Sequence, residues 1–237
     1  MSAKGIDKIC LVTFNLLFLL LCLGVGVYVY TDLRMEFKLE KEFEEIEKVL
    51  NKEKIDSKEL NELLQNHETT GKYEEVEKAY KKYMMDYIEE NNKVLEELKE
   101  IKVDLVLEVE NISNDSSDEI LKSYQEKITK IKKDLEKRKS DKTINSYYSK
   151  EGSKDYYHRY LRGQVKRVFK TRYTKNINNQ IIKMENVLKQ TSELLDFLKD
   201  NKENYQIEED KIVFKKEELT DKYNQLYENW LQLHRPE

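Results

Sequence analysis

Residues Ile9 to Tyr30 form an apolar run of 22 residues that contains no charged side chain. As an α-helix, which rises about 1.5 Å per residue, the run is about 33 Å long and exceeds the roughly 30 Å hydrocarbon core of a bilayer. Fourteen of its residues are Leu, Ile, Val or Phe, each of which favours insertion. Tyr28 and Tyr30 lie at its end, where aromatic rings prefer the headgroup layer. The run therefore predicts a transmembrane helix, residues 9–30.

A cleaved signal peptide is the alternative interpretation, because Lys4 and Lys8 precede the run and Gly24-Val25-Gly26 is a small-x-small triplet. The run is longer than the roughly 7 to 15 residues of a signal-peptide core, which favours an uncleaved signal anchor. The short basic tail, residues 1–8, then lies inside, and residues 31–237 are extracytoplasmic. This predicts a single-pass protein of the cell membrane. Positive charges flank the run on both sides, so their count alone leaves the orientation open.

Residues 31–237 have the composition of long helices, since the chain is 38% charged and contains one Pro and six Gly. Apolar residues recur at three- and four-residue spacings through most of this part. We therefore predict an all-α fold, in which the transmembrane helix is followed by an elongated antiparallel helical bundle. The predicted helices cover residues 33–52, 57–66, 72–110, 117–139, 154–200 and 216–234, and residues 140–153 are predicted to form a loop.

Two segments of this soluble part have a pattern of their own. The apolar residues of 73–109 follow a near-heptad spacing that is typical of a coiled coil and could pair with a second copy. Near 204–214, apolar residues alternate on both sides of a polar turn, which predicts a short β-hairpin.

The end of the chain resembles an uncharacterised family of small bacterial envelope proteins, which are helical and anchored by an N-terminal lipid or membrane segment. The residues that carry the resemblance are Leu194, Leu195, Phe197, Ile207, Ile212, Phe214, Leu219 and Tyr223. It covers at most residues 156–235 and rests on apolar spacing. The resemblance implies an envelope location and supplies no catalytic residue. The chain departs from the lipoprotein members because Cys22 follows Leu21, where lipidation requires a small residue.

The charges of the soluble part are unevenly distributed: residues 36–110 have a net charge of −10 and residues 140–175 a net charge of +7. Basic side chains next to aromatic rings can bind phosphates and stack on bases or sugars. The candidate anion-binding residues are Arg159, Arg162, Lys166, Arg167, Lys170 and Arg172, and the candidate aromatic contacts are Tyr147, Tyr148 and Tyr156. Pairing of these cations with the acidic helices of the same chain is the favoured alternative. An anionic polymer, a lipid surface or an acidic protein comes next, and nucleic acid is the least favoured partner.

No pattern in the chain predicts catalysis. A Gly-rich phosphate loop, a nucleophile elbow and a Cys/His pair are all absent from the sequence. His67, His158 and His234 fall in different predicted elements, which does not favour a metal site. We therefore predict a non-enzyme without cofactor or metal.

The function predicted from sequence is a membrane-anchored helical structural or adaptor protein of the cell envelope, which presents a protein-interaction surface. Its expected partners are the membrane and other envelope proteins or further copies of the chain. The alternative is a binding module for an anionic envelope polymer or lipid headgroups, which uses the basic, Tyr-rich stretch 147–175.

Overall fold

The computed structural model describes residues 3–148, 155–209 and 211–234, with side chains from residue 14 onward except that of Asp155. Within these ranges the chain forms nine α-helices, two 3₁₀ turns and one antiparallel two-stranded sheet. The helices are α1 Ala3–Leu50, α2 Ser57–Gln65, α3 Lys72–Lys99, α4 Val109–Ser113, α5 Ser117–Lys139, α6 Asp141–Asn145, α7 Asp155–Val168, α8 Arg172–Asp200 and α9 Glu217–His234. The 3₁₀ turns are Val103–Leu107 and Lys202–Asn204, and the strands are β1 Tyr205–Glu208 and β2 Lys211–Phe214. The predicted all-α fold with a hairpin near the C-terminus is confirmed.

Helix α1 contains the apolar run and continues from it into the bundle without a break, over 48 residues. An 18-residue window within Phe14–Leu50 has a mean hydropathy of 2.0, and none of that window is buried. The helix is therefore long and apolar enough to span a membrane. From Leu39 onward the same helix enters the protein core, where Leu39, Phe43, Ile46 and Leu50 are buried.

Side-chain pairs between helices give the directions of α3, α5 and α7. Along α1, Asp32 and Glu42 pair with Lys72 and Lys81, so α3 runs parallel to α1. Glu36 and Glu47 contact Tyr156 and Arg167, so α7 also runs parallel to α1. Helix α5 runs opposite to α3, because Glu90 of α3 pairs with Arg138, and Glu100, directly after α3, pairs with Lys127. Helices α2 and α5 thus return the chain between parallel helices. We call the end of the bundle next to the apolar run the proximal end, and the end with the hairpin the distal end.

Three hydrophobic clusters follow one another from the proximal to the distal end. The proximal cluster joins α1, α2, the first half of α3, α6 and α7. The middle cluster joins the second half of α3, the first 3₁₀ turn, α5 and α8. The third contains Ile112, Leu198 and Phe214 and supports the hairpin, whose register pairs Tyr205 with Phe214.

The prediction of one helix over 72–110 is wrong, since α3 ends at Lys99 and a 3₁₀ turn follows. Val103 and Val106 have no exposed surface and pack in the middle cluster. β-Branched residues lose rotamer freedom in a helix, so leaving the helical conformation costs Val103 and Val106 little. The 3₁₀ turn allows both side chains to be buried. The near-heptad stripe itself, from Tyr73 to Ile101, is buried by helices of the same chain.

The prediction of one helix over 154–200 is also wrong, because residues 169–171 form a turn that separates α7 from α8. Thr171 has extended backbone, and its hydroxyl donates to the carbonyl of Val168 at 2.7 Å. The hydroxyl of Thr174 donates to the same carbonyl at 3.0 Å. Such local bonds compete with helical ones and end α7. In the loop predicted over 140–153, residues 141–145 form α6, and residues 149–154 lie outside the described ranges.

Candidate functional site

The basic stretch folds mainly as α7, whose apolar face is fully buried. Leu161, Val165 and Val168 have no exposed surface and pack in the proximal cluster. The start of α7 lies at the proximal end, because the hydroxyl of Tyr156 donates to Glu36 of α1 at 2.9 Å. The cations of the stretch therefore lie at the border of a packed core.

Two of the predicted anion-binding cations contact acidic side chains at the end of α1 and just beyond it. The Arg167 guanidinium lies 2.8 Å from Glu47, and that of Arg172 lies 3.3 Å from Glu53. The backbone N–H of Arg172 also donates to the side chain of Asn51 at 3.0 Å. These contacts join the turn between α7 and α8 to α1, which is the internal pairing considered from the sequence.

Two further cations share one carboxylate of α6. Lys166 lies 2.8 Å and Arg162 lies 3.9 Å from Asp141. The hydrogen bond from Lys166 is the main cause that lowers the pKa of Asp141. Arg159 and Lys170 are exposed.

The three predicted aromatic contacts have different surroundings. The hydroxyl of Tyr147 donates to Asp86 at 2.8 Å, and burial together with this bond raises its pKa. Tyr148 is buried, with 4% of its surface exposed. Tyr156 is 46% exposed although its hydroxyl is bonded to Glu36. Only Tyr156 therefore presents much of its ring to solvent.

A cleft of about 420 Å³ opens beside the first two turns of α7. The described residues that line it are Asn145, His158, Arg159 and Arg162. The side-chain oxygen of Asn145 is buried without a hydrogen-bond partner in the described structure. The guanidinium groups of Arg159 and Arg162 give this cleft a positive lining that suits a small anion, whereas the Asn145 oxygen is an acceptor and would have to bind a donor.

A buried group of charges, which sequence reasoning missed, lies at the proximal end between α1 and α3. Glu77 has no exposed surface and Lys81 is 1% exposed. The Lys81 ammonium lies 2.7 Å from Glu77 and 2.8 Å from Glu42 of α1, and it donates to the carbonyl of Asn66. The hydroxyl and backbone N–H of Thr69 donate to the second oxygen of Glu77 at 2.6 and 3.0 Å. We call these five residues the buried charge cluster.

The buried charge cluster connects α1, α3 and the segment 66–69 that precedes α3. Burial alone would raise the pKa of Glu77, but the bonds from Lys81 and Thr69 and the charge of Lys81 lower it below its usual value. Glu77 is therefore an ionised carboxylate inside the fold near neutral pH. The i,i+4 spacing of Glu77 and Lys81 was the available signal, but exposed pairs have the same spacing.

Four polar contacts join α1 to the rest of the bundle along its length. In order along α1, the contacts are Asp32 with Lys72, Glu36 with Tyr156, Glu42 with Lys81 and Glu47 with Arg167. Met35, Leu39, Phe43 and Ile46 pack between them in the proximal cluster. We call this arrangement the α1 clamp. Because it combines packing with several charge contacts, α1 cannot rotate against the bundle without breaking many of them.

The described histidines have different surroundings. His67 lies 3.7 Å from Glu77, His158 lines the cleft, and His234 stacks on Trp230 with ring centroids 4.9 Å apart. Among the side chains that the structure describes, no three His, Cys, Asp or Glu come together as they would to hold a metal ion.

No protein-family model, curated protein or solved structure matches this chain. The C-terminal resemblance to an envelope family therefore stays an expectation. The features that bear on function are the α1 clamp, the cleft beside α7 and the exposed distal hairpin, where Ile207 and Val213 are 37% and 39% exposed.

Proposed function

We propose that the chain is a single-pass membrane protein of the cell envelope whose helical bundle is a stiff arm that presents an interaction surface to other envelope proteins. The observation that carries the proposal is α1, which is exposed and apolar at one end and a core helix of the bundle at the other. A flexible linker between span and bundle is absent from this continuous helix. The α1 clamp then transmits the orientation of the span to the whole arm.

The distal hairpin is the part of the arm best placed to meet a partner. From Tyr30 to the end of α1 is about 30 Å, and α8 extends the arm by about 43 Å beyond α7. The hairpin would thus lie about 70 Å from the membrane if the helix axes were aligned. Exposed Ile207 and Val213 give it apolar surface, and each strand has one unpaired edge. Such edges can bind an extended segment of another protein.

The proposal predicts that a photo-crosslinking amino acid at position 207 captures envelope proteins in intact cells, and only while the arm is anchored. Replacing Leu19 and Leu20 by Arg puts two charges at the middle of the apolar run, at a cost to insertion of about 5 to 7 kcal/mol. This double variant should move the chain to the soluble fraction and abolish the crosslinks. Ile182→Arg is the control, because Ile182 is 52% exposed on α8. This variant should stay in the membrane fraction and still give the crosslinks.

Protease treatment of the same intact cells tests the orientation through a C-terminal tag. Digestion of the tag is expected for an extracytoplasmic arm. Protection of the tag, or crosslinks that persist in the soluble double variant, would contradict the proposal.

Binding of a small anion is a second candidate function, which the cleft beside α7 favours. Arg162 lines the cleft, and its 3.9 Å separation from Asp141 leaves that ion pair at the limit of contact. We expect calorimetric titration of the full chain in micelles with pyrophosphate to show binding that Arg162→Gln removes. Lys170→Gln is the matched control, since Lys170 is exposed and does not line the cleft. Equal titrations for the two variants, or none with the unchanged chain, would contradict this candidate.

A further inference from the structure

Helix α1 has an exposed apolar face directly beyond the apolar run. Tyr30, Leu33 and Phe37 are 66%, 60% and 69% exposed. Residues three and four apart lie on the same side of a helix, so the three side chains form one stripe. Helices α3 and α7 pack on the other side of α1, through Leu39 and Phe43. Described elements of the chain thus leave this stripe uncovered.

Exposed charges accompany the stripe, and they include Glu40, three residues beyond Phe37, as well as two cations. Arg34 is exposed next to Leu33, and Lys41, with 67% of its side chain exposed, follows Phe37 by one turn. Lys41 lies 3.7 Å from Glu45, a distance typical of a weak surface pair. Apolar side chains with Lys and Arg beside them are the pattern of helices that bind the interface of an anionic membrane.

A second copy of the chain is a less suitable occupant of this face. In a parallel two-fold pair through this stripe, Glu40, which lies seven residues beyond Leu33, would approach Glu40 of the second copy. Like charges at close range repel, whereas Arg34 and Lys41 attract anionic headgroups. The stripe also continues the apolar run, so a membrane that holds the run reaches the stripe first.

The length of the run allows the helix to tilt toward the stripe. A helix of about 33 Å in a core of about 30 Å accommodates its excess length with a tilt of about 25°. Phe37 lies seven residues beyond Tyr30, which is about 10 Å along the axis, while the headgroup layer is about 5 to 7 Å thick. Tilting toward the stripe lowers the Phe37 ring by about 3 Å and brings it to the headgroups, and tilting away removes it.

We propose that α1 tilts toward its Tyr30, Leu33 and Phe37 face, which lies in the headgroup layer of an anionic membrane and sets the direction in which the arm leans. This inference rests on the proposed membrane anchoring. Because the α1 clamp fixes the bundle to α1, the lean of the helix becomes the lean of the distal hairpin.

Tryptophan fluorescence of the full chain in vesicles of phosphatidylcholine and phosphatidylglycerol tests the proposal. In the Phe37→Trp variant, lipids that carry a nitroxide quencher on the headgroup should quench most of the emission of the new indole. The native Trp230 is buried on the distal helix α9, so the unchanged chain gives the unquenched reference. Lys48→Trp is the matched control, because Lys48 is exposed 11 residues further along α1, about 16 Å away and on nearly the same face.

The outcomes separate this inference from the anchoring on which it rests. Flotation with the vesicles reports anchoring, and failure to float contradicts the proposed function itself. Flotation with equal, weak quenching at positions 37 and 48 overturns the tilt alone. A second copy would cover the face if the indole at position 37 were unquenched and its emission shifted to the red when the ratio of protein to lipid was lowered. Loss of quenching when phosphatidylglycerol is omitted, or in Arg34→Gln/Lys41→Gln, is the result expected for an anionic interface.

Discussion

Replacing Lys81 by Met is expected to lower the free energy of unfolding by about 3 to 5 kcal/mol, because it leaves the carboxylate of Glu77 buried without its cation. Glu77 has no exposed surface, and Glu42 on the other side of Lys81 has 12% of its side chain exposed. Neither carboxylate can turn to water to recover its solvation. Denaturant unfolding of the full chain in detergent micelles, followed by circular dichroism, measures the difference.

Lys78→Met is the matched control for this variant. Lys78 lies one turn earlier on α3 and also pairs with a Glu four residues before it, Glu74, at 2.6 Å. Both side chains of this pair are in contact with solvent, so we expect almost no change in the free energy of unfolding. The combined variant Glu77→Leu/Lys81→Met removes the more deeply buried carboxylate together with Lys81 and leaves only Glu42 without its cation, so it should be more stable than Lys81→Met alone. If Lys78→Met and Lys81→Met were equally stable, the buried charge cluster would not hold the proximal end.

The ionisation of Glu77 also gives this stability a pH dependence. Its pKa in the folded protein is lowered, so the folded state binds its proton less tightly than the unfolded chain does. Its stabilising contribution is therefore complete above the usual Glu pKa and is lost as the pH falls through the folded pKa. The Glu77→Leu/Lys81→Met variant should lack this part of the acid sensitivity.

Sequence and structure agree where local pattern and tertiary packing favour the same element. Asp56 caps α2 by accepting from the N–H groups of Lys58 and Glu59, which is typical of an Asp directly before a short amphipathic helix. The hairpin follows from the alternation around residues 208–211, since strand periodicity is visible in sequence. In these places the local signal was sufficient.

The missed features depend on distant contacts. Residues 100–108 continue the heptad spacing of α3, and only the space between α5 and α8 makes a turn at Val103 and Val106 more favourable than a longer helix. Charge burial has the same origin. Glu74 with Lys78 and Glu77 with Lys81 have the same spacing, but α1 and the segment 66–69 cover only the second pair.

The sequence identifies the candidate anion-binding cations, but it does not show which carboxylates they contact. The net charges of the acidic and basic stretches made internal pairing the favoured alternative. Which carboxylate each cation meets depends on the parallel course of α1 and α7, which brings Arg167 to Glu47. α1 and α7 are parallel because α2 and α5 run in the opposite direction between them. The periodicity within one helix does not predict the relative direction of two helices.

Replacing Trp230 by Ala is expected to detach α9 from the distal part of the arm. Trp230 is 2% exposed and is the one residue of α9 that is buried. Its indole N–H donates at 2.9 Å to Thr191, which has no exposed surface. Removing a buried aromatic side chain of this kind costs about 3 to 5 kcal/mol. Because the other contacts of α9 are half-buried, we expect the loss to appear as local opening, which hydrogen exchange of the α9 amides measures.

Trp230→Phe separates the packing of the ring from its hydrogen bond. Phe keeps most of the apolar volume between Tyr227 and His234, whose rings lie 5.5 and 4.9 Å from the indole. It removes the donor to Thr191, whose hydroxyl still donates to Val187 at 2.8 Å, so the expected loss is about 1 to 2 kcal/mol. If α9 kept its exchange protection in Trp230→Ala, the hairpin and the half-buried Tyr223 would be its true attachment. Since α9 packs against both α8 and the hairpin, its release in Trp230→Ala would also loosen β2 and reduce crosslinking from position 207.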